Sequence, residues 1–180
     1  MYKGTIFIAG IHGVGKSTLC KEIANQLSIK HLTASQIIQK YTDTSLEIST
    51  KYVSNIPTNQ IILSEGLKNE IIGQRVILLD GHFVLLNDEG TPSMIDISTF
   101  ERLLLSVIIT IVDDPIAISR RLFLRDNVYY EVDLLSKMQT TELQQANAIA
   151  LNLNIKTITL DLRLHKDPIS IFSSLLSTYI

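Results

Sequence analysis

Apolar positions along this chain switch between a strand period and a helix period, and each switch marks an element. Thr5-Ile6-Phe7-Ile8-Ala9 is a short unbroken apolar run, which predicts a strand at about residues 4–9. From Lys16 to Ser28 the period becomes helical, with Leu19, Ile23 and Leu27 on one face. Residues 30–32 predict a short strand, Thr33-Ala34-Ser35 a helix cap, and residues 36–40 a helix. Thr42 to Asn55 is polar and Ser/Thr-rich without periodicity, so it predicts a loop or a short helical excursion. Pro57-Thr58 opens a helix to about Ile72, carrying Leu63, Leu67 and Ile71 as one stripe.

The second half repeats the alternation. Arg75–Leu79 and Ser106–Val112 are aliphatic runs of the kind buried on both faces of a sheet. Between them, Phe83–Leu86, the turn Asn87-Asp88-Glu89-Gly90 and Met94–Ile97 predict a small hairpin. Asp114-Pro115 and Asp167-Pro168 each place a capping Asp before a Pro that starts a helix. A long helix is predicted from Val132 to Asn152 and a strand at Thr157–Leu160. Alternating strands and helices point to parallel βαβ units, and with no repeat or linker the 180 residues predict a single domain.

Composition narrows the function classes. The chain is 46% apolar but only 6% aromatic, so its core is built mainly from Ile, Leu and Val. Lys and Arg total 16 against 18 Asp and Glu, a net charge of −2 without a long basic face. That argues against nucleic acid as the main partner, because such binding rests on phosphate neutralisation. Cys20 stands alone and is expected to be a reduced helix or core residue of a cytoplasmic protein. The N-terminus lacks a signal-peptide pattern, and the apolar stretch Leu103–Val112 is about half a bilayer span, so no membrane role is expected.

Residues 10–17, Gly10-Ile11-His12-Gly13-Val14-Gly15-Lys16-Ser17, form a complete G-x-x-x-x-G-K-[ST] loop between the first strand and the first helix. Glycines let the backbone N–H groups turn inward around a phosphate, and the helix N-terminus adds its positive end. Lys16 is placed to reach the β- and γ-phosphates of a nucleotide, and the Ser17 hydroxyl to hold Mg²⁺. The residues expected to bind ATP are Gly10, His12, Gly13, Val14, Gly15, Lys16, Ser17 and Thr18.

Asp80 ends a buried strand and suits the second acidic residue of such a site, which holds Mg²⁺ with Ser17. Asp113 is the competing candidate, although Asp113-Asp114-Pro115 has a ready structural duty as a helix start. His82 lies two residues past Asp80 on the same side of an extended chain. It reads equally as a proton relay or phosphate hydrogen bond and as packing at the strand end. His31 and His165 have no matching partners, and no spacing suggests a zinc site. Arg121 and Arg125 share a helix face within Arg120-Arg121-x-x-x-Arg125-Asp126. They read as a clamp on a transferring phosphoryl group, or as a solvated basic face paired with Asp126.

The order Gly10–Ser17, Asp80-Gly81-His82 and Arg121-Leu122-x-x-Arg125-Asp126 resembles the small P-loop kinases. It is most similar to the compact adenylate-kinase-like proteins of archaeal and eukaryotic nuclear type, over about residues 4–165. The arginine stretch with Gln139 downstream also resembles dephospho-coenzyme A kinases, whose early acidic motif is missing here. The resemblance implies a three-layer α/β fold with a five-stranded parallel sheet in the order 2-3-1-4-5 and helices on both faces. It implies an acceptor flap in residues 33–72, a short lid at residues 120–131, and Mg²⁺-ATP as donor.

The implied activity is transfer of the γ-phosphoryl group to a nucleotide or other small acceptor, with Lys16, Asp80, His82, Arg121 and Arg125 as catalytic residues. The alternative is a P-loop ATPase or nucleotide switch acting on a protein partner. One departure bears on the choice. Nucleoside-monophosphate kinases hold the acceptor phosphate with flap arginines, yet no arginine precedes Arg75 here, and residues 30–74 offer only Lys30, Lys40, Lys51 and Lys68.

Overall fold

The computed structural model describes residues 3–44, 56–87 and 90–180. Strand β1 (Gly4–Ala9) runs through the glycine-rich loop into α1 (Lys16–Leu27), then β2 (Lys30–Thr33), α2 (Ala34–Thr44), α3 (Ile56–Glu70) and β3 (Val76–Asp80). A hairpin of β4 (Val84–Leu86) and β5 (Pro92–Met94) leads to the short α4 (Ile97–Glu101). The chain continues through β6 (Leu105–Val112), α5 (Pro115–Asp126), α6 (Val132–Leu153), β7 (Lys156–Asp161) and α7 (Pro168–Ser177). Five strands pair in parallel in the order β2-β3-β1-β6-β7. Counted along the chain without the hairpin, that is the expected 2-3-1-4-5. Among the described residues no helix is long and apolar enough to cross a membrane.

Two details differ from the sequence expectation. Met94–Ile97 does not form the returning hairpin strand, because β5 pairs earlier, with Pro92 opposite Leu86 and Met94 opposite Val84. Ile97 instead starts α4, since the Asp96 carboxylate accepts from the Ser98 N–H and caps a helix there. The helix expected over residues 36–40 begins at Ala34 and reaches Thr44. Its start is a capping box: Thr33 Oγ1 accepts from Gln36 N–H, and Gln36 Oε1 accepts from Thr33 N–H, each at 3.1 Å. Of the loop or helical excursion expected over residues 42–55, residues 42–44 belong to α2, and the rest, with Lys51, lies outside the described residues, as do the turn residues Asp88 and Glu89.

Strand alternation splits the core into two layers. Ile6, Ile8, Leu78, Val107 and Ile109 face α1, α5 and α7 through Leu19, Ile23, Ile118 and Phe172. Phe7, Ile77, Leu79 and Ile108 face the other side, against Ile37, Leu63, Leu67 and Phe100 from α2, α3 and α4. Helix α6 serves both layers, with Leu135 and Met138 in the first and Ala146 and Ile149 in the second.

Between those two halves of α6 sits Glu142, 1% exposed, whose carboxylate gathers backbone N–H groups from two other elements. Oε1 accepts from Gly10 N at 2.9 Å and from Phe83 N at 3.0 Å. Oε2 accepts from Phe83 N at 3.1 Å and Val84 N at 2.8 Å. Burial pushes its pKa up, while the three donors and the nearby Lys16 charge favour the anion. All contacts to both oxygens are from donors, which is the pattern of an ionised carboxylate.

A second buried carboxylate, Glu70 at the end of α3, receives Lys30 Nζ at 2.5 Å, Lys40 Nζ at 2.5 Å and Tyr41 hydroxyl at 3.0 Å. These donors, Lys30 first, hold the Glu70 pKa down to about 2. They join β2, α2 and α3 at one point.

Two outcomes follow from these carboxylates. Glu142→Gln turns an amide N–H₂ toward backbone donors and leaves a buried N–H unpaired, so urea unfolding should register a loss of about 2–4 kcal/mol. A loss below about 0.5 kcal/mol would mean the carboxylate is not a structural hub. For Glu70, a depressed folded pKa contributes stability above its ordinary value of 4.5 that is lost as pH falls toward 2. The stability difference between wild type and Glu70→Gln should therefore shrink across that window, and a constant difference would rule out the ionised pair as its source.

Candidate functional site

The loop between β1 and α1 takes its shape from its glycines and its neighbours. Gly10 has φ 143°, and a Cβ there would lie 2.6 Å from the Ile111 carbonyl oxygen of β6. The clash is with the adjacent strand, so glycine is demanded by sheet packing before any ligand is considered. Gly15 caps α1 at φ 110° with open space where a Cβ would point. It provides no side-chain cap, so the first-turn N–H groups of α1 have no capping side chain across them.

The loop opens onto a cavity of about 510 Å³. Of the expected site residues, His12, Gly13, Gly15, Lys16, Ser17, Thr18, Asp80, His82, Arg121 and Arg125 all line it. Gly10 and Val14 do not; Val14 is fully buried and packs the loop onto the core. Lys16 is 5% exposed, and its Nζ donates to Gly10 O at 2.6 Å and Ile11 O at 3.2 Å. Burial lowers its pKa, against the attraction of Asp80 and Glu142.

Ser17 Oγ donates to Asp80 Oδ2 at 2.5 Å. Strand β3 pairs directly with β1, Ile8 opposite Asp80, so the strand tip carries this carboxylate to the loop. A hydroxyl and a carboxylate oxygen in contact at a loop rim, beside open anion-binding N–H groups, suit the hard-oxygen preference of Mg²⁺. Asp113, the competing acidic residue, does not line the cavity. Its carboxylate pairs with Arg121 Nη2, and its backbone is bracketed by Gln139, which accepts from Asp113 N at 3.0 Å and donates to Asp113 O at 2.8 Å. Asp114 caps α5 through Ile116 N, as its place before Pro115 suggests.

The two arginines of the helix face do different things. Arg121 Nη1 donates to Gly13 O at 2.8 Å and Val14 O at 3.0 Å, so its guanidinium braces the loop from α5. Arg125 is exposed and is held by its neighbour Asp126, through Nε at 2.7 Å and Nη2 at 2.5 Å. His12 and His82, both lining the cavity, pack against each other with ring centroids 4.0 Å apart. His82 Nδ1 lies 3.5 Å from Lys16 Nζ. Burial, then the Lys16 charge, holds the His82 pKa well below its ordinary value, so this ring is neutral at neutral pH. Burial also lowers His12, with Lys16 and Arg125 acting in the same direction.

Three features escaped the sequence reading. Glu142 lies in a polar helical stretch, Thr140-Thr141-Glu142-Leu143-Gln144-Gln145, which reads as a solvated face. Its one signal is the i, i+3 spacing from Gln139, which puts both on the same helix face. His31 does have a neighbour: the β2–β3 pairing brings its Nε2 to 3.8 Å from Asp80 Oδ2, buried and without a hydrogen bond among the described residues. Cys20, His31 and Asp80 thereby place ligand atoms within 4.8 Å of one another, although no spacing along the chain suggests it.

A family model described as the AAA domain matches residues 9–139. No curated protein matches the sequence. Among solved structures the chain is similar to a shikimate kinase from Bacteroides thetaiotaomicron, at 15% identity and TM-score 0.54 over 97% of this chain and 96% of that one. It is similar to a gluconokinase from Sinorhizobium meliloti 1021, at 13% identity and TM-score 0.50 over 98% and 97%. It is also similar to an uncharacterized protein from Eubacterium ventriosum, at 12% identity and TM-score 0.52 over 98% and 97%. At such identities the likeness is one of fold, that of the P-loop small-molecule kinases. The family match runs from the end of β1 through the loop, Asp80 and the α5 arginines to Gln139, and the chain belongs to the AAA domain family.

Proposed function

We propose that the protein is a Mg²⁺-ATP-dependent phosphotransferase that moves a γ-phosphoryl group to a small acceptor. The observation that carries this reading is the Ser17–Asp80 contact of 2.5 Å at the rim of a cavity that extends well beyond the loop. A hydrolase or switch needs room for a nucleotide and a water; this cavity continues past His82 to Phe100, Leu63 and Ile38, which leaves space for a second molecule. The kinase-like fold supports the same reading, and the names of two structural neighbours, a gluconokinase and a shikimate kinase, point to small-molecule acceptors.

In this reading the loop amides and the α1 N-terminus hold the donor's phosphates, and Lys16 carries the positive charge among them. Ser17 Oγ and Asp80 hold the metal. Bound Mg²⁺-ATP supplies the phosphoryl group and the divalent charge that neutralises its oxygens. His82, neutral and in the cavity, can accept a hydrogen bond from an acceptor hydroxyl. Arg125 lines the cavity while paired with Asp126, whereas Arg121 acts through the loop carbonyls it grips and is a positioning residue. The work is positioning and charge stabilisation, as phosphoryl transfer requires.

Two substitutions test the donor assignment. Lys16→Ala should weaken ATP binding by about two to three orders of magnitude in titration calorimetry, the loss of a charge-assisted phosphate contact in a dry site. Unchanged affinity would remove the foundation of the reading. Asp80→Asn should lower kcat by about a hundredfold and flatten its Mg²⁺ dependence, while Asp113→Asn should keep the Mg²⁺ dependence and lower thermal stability. The reverse pattern would move the metal to Asp113.

A further inference from the structure

The two halves of the cavity differ in chemistry. Lys16, Arg121 and Arg125 all lie on the donor half, around the loop. The other half is walled by Phe7, Ile38, Leu63, Leu85, Ile95 and Phe100. Among the described residues this half presents no cationic side chain. The described lysines of this region are engaged elsewhere: Lys30 and Lys40 on Glu70, and Lys68 on Glu65 at 2.6 Å. A phosphate or carboxylate brought against this wall would be a charge buried without a partner, which costs several kcal/mol. A sugar would fare little better, because a polyol needs a hydrogen bond for nearly every hydroxyl it brings out of water.

What the wall does offer is flat and apolar, with one unanswered polar atom. Phe7, Phe83 and Phe100 form a cluster with ring centroids 4.7 to 5.6 Å apart, and Phe7 and Phe100 expose part of it to the cavity. Gln60 of α3 lines the same half, and its Oε1 is buried with no hydrogen-bond partner among the described residues. A buried amide oxygen left unpaired is costly, so a ligand that brings an N–H donor recovers what the fold forgoes. Thr33 and Ser35, whose hydroxyls meet at 3.0 Å, add neutral polar groups at the edge of this half.

We propose that the acceptor is an uncharged molecule with a flat apolar body, an N–H donor on its edge and a free hydroxyl, the chemistry of an unphosphorylated nucleoside. The body lies against the Phe7 and Phe100 wall, the edge donor meets Gln60 Oε1, and the hydroxyl faces the loop. The inference rests on the phosphotransferase reading. In the reaction the P–O bond between the γ-phosphorus of ATP and its ADP leaving group breaks. A P–O bond to the acceptor hydroxyl oxygen forms, and the hydroxyl proton leaves to solvent.

The test uses the full chain with Mg²⁺-ATP and three sets of acceptors: adenosine, guanosine, cytidine and thymidine; their 5′-monophosphates; and glucuronate as an anionic sugar acid. Product formation and calorimetric binding are both read. At least one nucleoside should be phosphorylated with kcat/KM about tenfold or more above its monophosphate and above glucuronate. Gln60→Leu, a good helix former at that position, should raise the KM for that nucleoside about tenfold and leave the KM for ATP unchanged. Preference for a monophosphate or for glucuronate overturns the inference and leaves the phosphotransferase reading standing. Failure of every nucleoside to bind below about 1 mM also overturns it. Nucleoside binding with ATP hydrolysis indifferent to every acceptor would instead sink the phosphotransferase reading.

Discussion

The geometry of this site depends on one carboxylate that is not in it. Glu142 gathers the N–H groups of Gly10, Phe83 and Val84, and so ties the first residue of the loop to the segment just past Asp80 and His82. Without an acceptor there, three buried donors at the strand tips would be unpaired, and the fold would have to bring water into its core. Helix α6 can supply that acceptor because it crosses from one core layer to the other at this point. The negative charge also opposes, with Asp80, the lowering of the Lys16 pKa by burial. Packing, hydrogen bonding and electrostatics therefore meet at a single side chain.

A second brace acts further along the loop, at Gly13 and Val14. Arg121 grips the Gly13 and Val14 carbonyls, Asp113 holds Arg121, and Gln139 holds the backbone of Asp113 from both sides. The chain α6–β6–α5–loop is thus continuous, and α6 contributes to both braces through residues three apart. A loop that must present its N–H groups to a highly charged ligand gains by being held before the ligand arrives, because less ordering remains at binding. This division of labour separates the two acidic candidates physically. Asp80 meets the Ser17 hydroxyl, while Asp113 is committed to the brace.

Much of the fold could be read from the sequence, because the strands are buried on both faces and interrupted by clear caps. The loop, Asp80 and the βαβ order were legible for the same local reasons: glycine spacing, a strand-end carboxylate, and Asp-Pro helix starts. The parts that were not legible depend on contacts between distant residues. Glu142 is an ordinary polar residue along its helix, and only the crossing of α6 over the strand tips turns it inward. His31 approaches Asp80 only because β2 pairs with β3, and Lys30 and Lys40 are engaged only because Glu70 folds between them. Helix α4 was missed because Ile95 and Ile97 continue an apolar run, and the Asp96 cap between them reads as a strand's polar face until its bond to Ser98 is formed. The apolar half of the cavity, lined from α2, α3, α4 and the hairpin, has no linear motif at all.

The central claim is that this site transfers a phosphoryl group to a second molecule and does not merely hydrolyse a nucleotide. Phosphorus NMR of Mg²⁺-ATP turning over with the full chain and a mixture of nucleosides tests it directly. The account predicts that the γ-phosphorus resonance declines in step with a new phosphomonoester resonance, with no matching growth of inorganic phosphate. Loss of the γ resonance into inorganic phosphate alone would contradict it.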